Sequence, residues 1–352
     1  MGETEYSIET VLDILKAGKS PLILGSPGSG KTSGMSPGGP VHIAMAEYHG
    51  IPPEEFGHCD IRPCTMDVSD YRGYPFPNKE TKTTEFYTPD FLPTEGYGII
   101  SIEEIMNAPK AHWHALYQLV EERRVGDWLV PDGWSVAATG NRVEDGCGVT
   151  NPPNALINRF ISVDWRPDQK DWEAWAVQHG LDYRVVAATR WRPDLIESYD
   201  GKIKGPQSTG RSVAAFARVF ESSGVVPSSE KSAVGLRIFR QAKGALGDDD
   251  AGLMSAFLSI FSDLPDVEKI ANGKGEDIEV PYRFEVQIAT LAQLVRMSSP
   301  SNIGGILSWV DRFDPTMKVI FGYDIEQDAF ETGARHTSSF TEWRAANSSL
   351  FS

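Results

Sequence analysis

Gly25-Ser26-Pro27-Gly28-Ser29-Gly30-Lys31-Thr32 is the stretch that decides the fold. Its spacing, G-x-x-x-x-G-K-T, is that of a phosphate-binding loop. Glycines let the backbone turn so that several N–H groups face one anion. The Lys31 ammonium reaches the β- and γ-phosphates, and the Thr32 hydroxyl ligates Mg²⁺. All eight residues, Gly25, Ser26, Pro27, Gly28, Ser29, Gly30, Lys31 and Thr32, are therefore expected to hold the nucleotide, with ATP and Mg²⁺ as the expected ligands. Pro21-Leu22-Ile23-Leu24 is a short apolar run ending at the loop, as a buried parallel strand feeding it would be. The helix expected after Thr32 adds its positive end to the anion site.

Upstream, Ser7 is expected to cap a first helix in which Ile8, Val11, Leu12 and Leu15 share a face and which Gly18 ends. Downstream, Ser36-Pro37-Gly38-Gly39-Pro40 breaks the helix that the loop should open. Either that helix is a turn or two long, or it is interrupted before residues 41–48. Residues 56–65 read as a second strand, and residues 67–91, dotted with Tyr71, Tyr74, Phe76, Phe86, Tyr87 and Phe91, as an inserted hairpin or loop. Gly98-Ile99-Ile100-Ser101-Ile102 is an apolar strand ending in Glu103-Glu104. A helix with Trp113, Leu116, Tyr117 and Val120 on one face follows. Residues 124–134 are a hairpin candidate, with Pro131-Asp132-Gly133 as its turn. A last strand, from Trp134 to Thr139, ends at Gly140-Asn141. Strands alternating with helices predict a parallel sheet sandwiched by helices over residues 1–166. Past a boundary near Arg166-Pro167-Asp168 the pattern is helical to residue 352: Val213, Phe216, Ala217 and Phe220 repeat at helical spacing, and residues 256–261, 286–295 and 303–313 also read as helices.

The chain of 352 residues is long enough for two domains with cores of their own. Its net charge of −16, without a Lys/Arg-rich run, argues against generic nucleic-acid binding and against an anionic membrane surface. No signal peptide or apolar run of transmembrane length is evident. Cys59, Cys64 and Cys147 form no C-x-x-C pair, which points to a reducing intracellular compartment. His112 and His114 point apart on a helix and are expected as surface or half-buried residues, not metal ligands.

Four further positions carry chemistry. In a parallel sheet the strand beside the loop strand delivers its C-terminal residues to the phosphates, and Glu103-Glu104 is expected there. Glu103 would support Mg²⁺ together with Thr32, and Glu104 would act as general base toward an attacking water. Asn141 follows a strand and could orient that water or the γ-phosphate, although Gly-Asn is also ordinary turn material. Arg159, at a helix end, could be offered to a neighbour's γ-phosphate, a contact worth roughly 10³–10⁵ in rate. Arg211 is expected in the first turn of its helix, where a cation suits a nearby anion better than the dipole. Taken singly, either arginine reads equally well as a surface residue.

In this order the elements resemble a MoxR-type AAA+ ATPase, a family related to the CobS cobalt-chelatase subunit and to ATPases of phages and prophages. The resemblance runs from about Tyr6 to Asn347. It rests on Gly25–Thr32 as Walker A and Ile99–Glu104 as Walker B, with Leu92-Pro93-Thr94 and Asn107-Ala108-Pro109 around them. It continues through Glu122-Arg123-Arg124-Val125-Gly126, Pro131-Asp132-Gly133-Trp134, Ala137–Asn141 and Ala155–Phe160. It implies an AAA+ α/β core with a helix-2 insert and a pre-sensor-1 hairpin, then an all-α lid with an extended C-terminal helical region. It makes Asn141 sensor 1, Arg159 the arginine finger and Arg211 sensor 2. It also implies a homo-oligomeric ring, most often a hexamer, in the cytoplasm of a bacterial or phage-infected cell. The ring would hydrolyse ATP to remodel a protein partner that often carries a von Willebrand A domain.

The sequence departs from that pattern in three places. Glu103 stands where the family usually has Asp, and one methylene moves a carboxylate by about 1.5 Å. Gly210 precedes Arg211 where Pro is common, and the Pro-Gly-Gly-Pro break follows the loop. Hydrolysis is still expected, at a low rate. A nucleic-acid motor, a metal-chelatase subunit and a nucleotide-binding module without hydrolysis are the alternative readings.

Overall fold

Short apolar strands such as Pro21–Leu24 and Gly98–Ile102 are buried on both faces, as strands of a parallel sheet covered by helices must be. The computed structural model describes residues 3–142, 145, 152–166, 168–227, 233–327 and 332–351. Cys147 and Pro167 lie outside them. The chain forms two units, Met1–Asp168 with Tyr199–Lys204, and Gln169–Ser198 with Gly205–Ser352.

The first unit begins with α1 (Glu3–Lys16), β1 (Pro21–Leu24), α2 (Lys31–Met35), α3 (Pro40–His49) and β2 (Gly57–Ile61). It continues with α4 (Val68–Arg72), an antiparallel hairpin β3 (Tyr74–Asn78) and β4 (Thr83–Tyr87), and β5 (Gly98–Ile102). Next come α5 (Trp113–Tyr117), a π-helical turn Gln118–Glu122, the hairpin β6 (Arg124–Val125) and β7 (Trp128–Leu129), β8 (Trp134–Gly140), α6 (Asn154–Ile157) and β9 (Ile161–Asp164). The main sheet has the order β2-β5-β8-β1-β9, every pairing parallel. Side chains alternate across it. Ile23, Ile99 and Ala137 pack with Val11, Met35 and Val41 on one face; Leu22, Ile100 and Ala138 pack with Leu116, Leu119 and Phe160 on the other. This is an α/β P-loop NTPase fold.

Several local expectations need correction. The first helix starts at Glu3, and Ser7 lies inside it; its Oγ donates to Asp164 O at 3.0 Å instead of capping. The second strand stops at Ile61, because a turn closes it, with Thr65 N donating to Arg62 O at 3.0 Å. The β6–β7 hairpin turns at Gly126-Asp127, with Gly126 at φ 60. Pro131-Asp132-Gly133 instead feeds β8, Trp134 N donating to Pro131 O at 3.0 Å. His112 is buried, its Nδ1 2.6 Å from the Tyr71 hydroxyl, and burial lowers its pKa. The strand carrying Glu103-Glu104 is not beside β1: β8 stands between them.

The break after the loop now has a physical form. Helix α2 ends at Met35 and α3 opens with Pro40 at its first turn, where a missing N–H costs nothing. Between them the chain folds back so tightly that a Cβ on Gly39 would lie 2.1 Å from Ser33 O.

The second unit is helical: α7 (Gln169–Gln178), α8 (Tyr183–Trp191), α9 (Gly210–Ser222), α10 (Ala233–Leu246), α11 (Asp248–Ile260), α12 (Val267–Ala271), α13 (Phe284–Met297), α14 (Ile303–Val310), α15 (Pro315–Gln327) and α16 (Ser338–Ala346). Helix α9 begins at a reciprocal capping box between Thr209 and Ser212, and Val213, Phe216, Ala217 and Phe220 bury one face of it. Arg190 of α8 bridges Glu173 of α7 and Asp324 of α15 in a largely buried ion triad. Among the described residues no helix is long and apolar enough to cross a membrane.

Candidate functional site

The loop 25–32 leaves β1 at the C-terminal edge of the sheet, where β5 and β8 also end. Gly28 and Gly30 have φ of 77 and 90, backbone that a side chain would strain. Lys31 opens α2 and is buried; its Nζ donates to Gly25 O and Ser26 O, both at 2.7 Å, and to Asn141 Oδ1 at 3.3 Å. The ammonium thus spans the loop and the end of β8, placing Lys31 and Asn141 together. Thr32 Oγ1 donates to Glu103 Oε2 at 2.5 Å.

Because β8 separates β5 from β1, the acids reach the loop past Thr139, the next-to-last residue of β8. Thr139 Oγ1 donates to Glu103 Oε2 at 2.7 Å and accepts from the Glu104 N–H at 3.2 Å. Glu103 is 4% exposed, and its Oε1 is buried without a hydrogen-bond partner. A buried carboxylate oxygen with an unused lone pair, beside a threonine hydroxyl, is a donor set that fits a hard, oxygen-seeking cation such as Mg²⁺.

Glu104 is exposed and sits in the left-handed region, φ 56 and ψ 39. A non-glycine residue there costs of order 1 kcal/mol or more, and such residues cluster at functional sites. The strained turn is tied down on both sides: the Glu104 N–H by Thr139, its carbonyl by Asn107 N at 2.8 Å and Cys64 Sγ at 3.8 Å. Just past β2 the hydrogen bond to Asp60 raises the pKa of Arg62, and the charges of Glu103 and Glu104 raise it further.

Arg159 follows α6 and is held apart from this cluster. Its guanidinium lies over the Tyr117 ring, 4.4 Å from the centroid, and bonds the Tyr117 hydroxyl. It also donates to Ala155 O at 2.9 Å and pairs with Glu121 at 3.4 Å. Tyr117 precedes the π-helical turn and Glu121 lies within it. Arg211 is an exposed first-turn residue of α9 in the second unit; the Gly210 carbonyl before it accepts from Trp172 Nε1 at 3.1 Å.

Two residues of the site escaped the sequence reading. Thr139 was legible only as the end of an apolar strand. Trp165, just past β9, donates its indole N–H to Ser29 O at 3.0 Å from a position 136 residues away. Only the sheet order, with β9 beside β1, reveals that contact.

No protein-family model matches the chain, and no curated protein matches it. Among solved structures it is similar to NtrX from Brucella abortus, at 10% identity over 98% of this chain and 67% of that one, with a TM-score of 0.39. It is similar to NtrX in complex with ADP at 10% identity over 99% and 68%, with a TM-score of 0.35. A RuvB mutant from Thermotoga maritima is 14% identical over 83% of this chain and 80% of that one, with a TM-score of 0.36. Likenesses this distant carry no weight on function, which is read below from the site.

Proposed function

We propose that the chain binds ATP with Mg²⁺ on the loop 25–32 and hydrolyses it as an AAA+ ring protein of MoxR type. The observation that carries this reading is the meeting of Lys31, Thr32, Glu103, Thr139 and Asn141 at one sheet edge. Lys31 would exchange its loop carbonyls for β/γ-phosphate oxygens. Thr32, backed by Glu103, would hold the cation, which when bound offsets phosphate charge. Glu104, presented on its strained turn, would take the proton of the attacking water, and Asn141 would orient that water.

Arg159, engaged with Tyr117 and Glu121, would serve the site of a neighbouring subunit, and Arg211 would close on the γ-phosphate. Such sharing requires a ring, most simply a hexamer. Remodelling of a protein partner, in particular one with a von Willebrand A domain, follows from the resemblance alone.

The test is the Glu104→Gln variant. It is expected to bind ATP, to lose about 10²–10⁴-fold in turnover, and to persist as a closed assembly by mass measurement in ATP. Turnover equal to that of the wild type would place the base elsewhere; a monomer in ATP would remove the ring.

A further inference from the structure

Trp165 touches the phosphate loop at its entry, crown and exit. Its backbone N–H donates to Leu24 O at 2.7 Å, just before the loop, and its carbonyl accepts from Arg142 Nη2 at 3.2 Å. That carbonyl lies 2.5 Å from where a Cβ on Gly25 would stand. The indole Nε1–H donates to Ser29 O at 3.0 Å, a buried bond. Beyond the loop, the ring carbons Cη2 and Cζ2 lie 2.9 and 3.3 Å from where a Cβ on Gly34 would stand. Gly25 and Gly34 are therefore glycines because Trp165 occupies the space of a side chain, and neither has a positive φ.

The bond to Ser29 O has a consequence for phosphate binding. In a trans peptide the C=O and the next N–H point opposite ways. With the Ser29 carbonyl tied to the indole, the Gly30 N–H must face away from Trp165. Gly30, at φ 90 and with nothing within 4 Å of where a Cβ would stand, has no side chain to hold that peptide. We infer that Trp165 is a positioning residue that fixes the Ser29–Gly30 peptide and so sets the loop in its phosphate-binding shape before nucleotide arrives. This rests on the reading of the loop as the ATP site. It also explains Gly34, the glycine inside the shortened helix α2.

The experiment is a double-mutant cycle in ATP affinity, measured by calorimetry with Mg²⁺ on the full chain, with thermal unfolding recorded for each variant. Trp165→Phe removes the indole N–H and the two ring carbons nearest Gly34. It is expected to raise the Kd for ATP about tenfold, the loss of one buried hydrogen bond, with turnover at saturation within about twofold of the wild type. Gly34→Ala pushes a methyl against the indole and is expected to weaken ATP by a similar factor. In the Trp165→Phe background the same Gly34→Ala change should cost less than about twofold, because the opposing atoms are gone.

Wild-type affinity in Trp165→Phe, or additive effects in the cycle, would overturn the inference while leaving the ATP site intact. No ATP binding by the wild-type chain would overturn both. Should Trp165→Phe fail to fold, Gly34→Ala, which keeps the indole, decides: weakened ATP at an unchanged thermal midpoint supports the clamp, and unchanged affinity overturns it.

Discussion

Thr32 Oγ1 in α2 and Glu103 Oε2 just past β5 lie 2.5 Å apart, although β8 separates β5 from the loop strand β1. Thr139 of β8 donates to the same carboxylate oxygen at 2.7 Å. Two hydroxyls converge on Oε2, leaving the buried Oε1 unpartnered. Glu103 is thus held from both sides, by Thr32 of α2 and by Thr139 of β8.

Thr139→Val keeps the shape of β8 and removes the bond to Glu103 Oε2. It also leaves the Glu104 N–H without its partner. Groups that orient metal-supporting residues typically contribute about 10–100-fold, so turnover at limiting Mg²⁺ should fall by about that factor. A Mg²⁺ titration of ATP hydrolysis checks it; a curve equal to that of the wild type would show Thr139 to be only packing.

Arg159 is tested by mixing. Arg159→Ala alone should lower hydrolysis by roughly 10³–10⁵, and Lys31→Ala alone should be inactive. Mixed subunits should recover part of the activity, because an intact finger then faces an intact loop. No recovery at any ratio would show that Arg159 does not act between subunits.

Stability in the helical unit should depend on Arg190. The side chains of Arg190, Glu173 and Asp324 are only 12–14% exposed. Arg190→Met leaves two buried carboxylates without their cation, and breaking such a pair costs about 3–5 kcal/mol. A lowered chemical-denaturation midpoint at neutral pH is expected. Because the stranded carboxylates can take up protons, the deficit should shrink as the pH falls.

The loop at 25–32, between β1 and α2, was legible because its signal is local: eight consecutive residues specify the turn, the cation and the hydroxyl. The apolar strands 21–24 and 98–102 and the amphipathic helix bearing Val213 and Phe220 were legible for the same reason. What depends on sheet order was not. The acids were expected beside β1, but β8 intervenes, so Thr139 and Trp165 entered the site from strands far away in sequence. Pro131-Asp132-Gly133 was read as the hairpin turn from its local turn chemistry, whereas the pairing of Val125 with Trp128 puts the turn at Gly126-Asp127. Ser7 was read as a cap because its preference for helix starts is strong, yet its hydroxyl bonds Asp164 O across the fold.

Central to the account is that Lys31 and its loop hold a nucleoside triphosphate. Calorimetric titration of the wild-type chain and of Lys31→Ala with ATP and Mg²⁺ tests this directly. Saturable binding by the wild type is expected, with a loss of about 100-fold or more in Lys31→Ala, where the ATP phosphates lose a charged donor. Equal affinity in the two proteins, or no binding by the wild type, would contradict it.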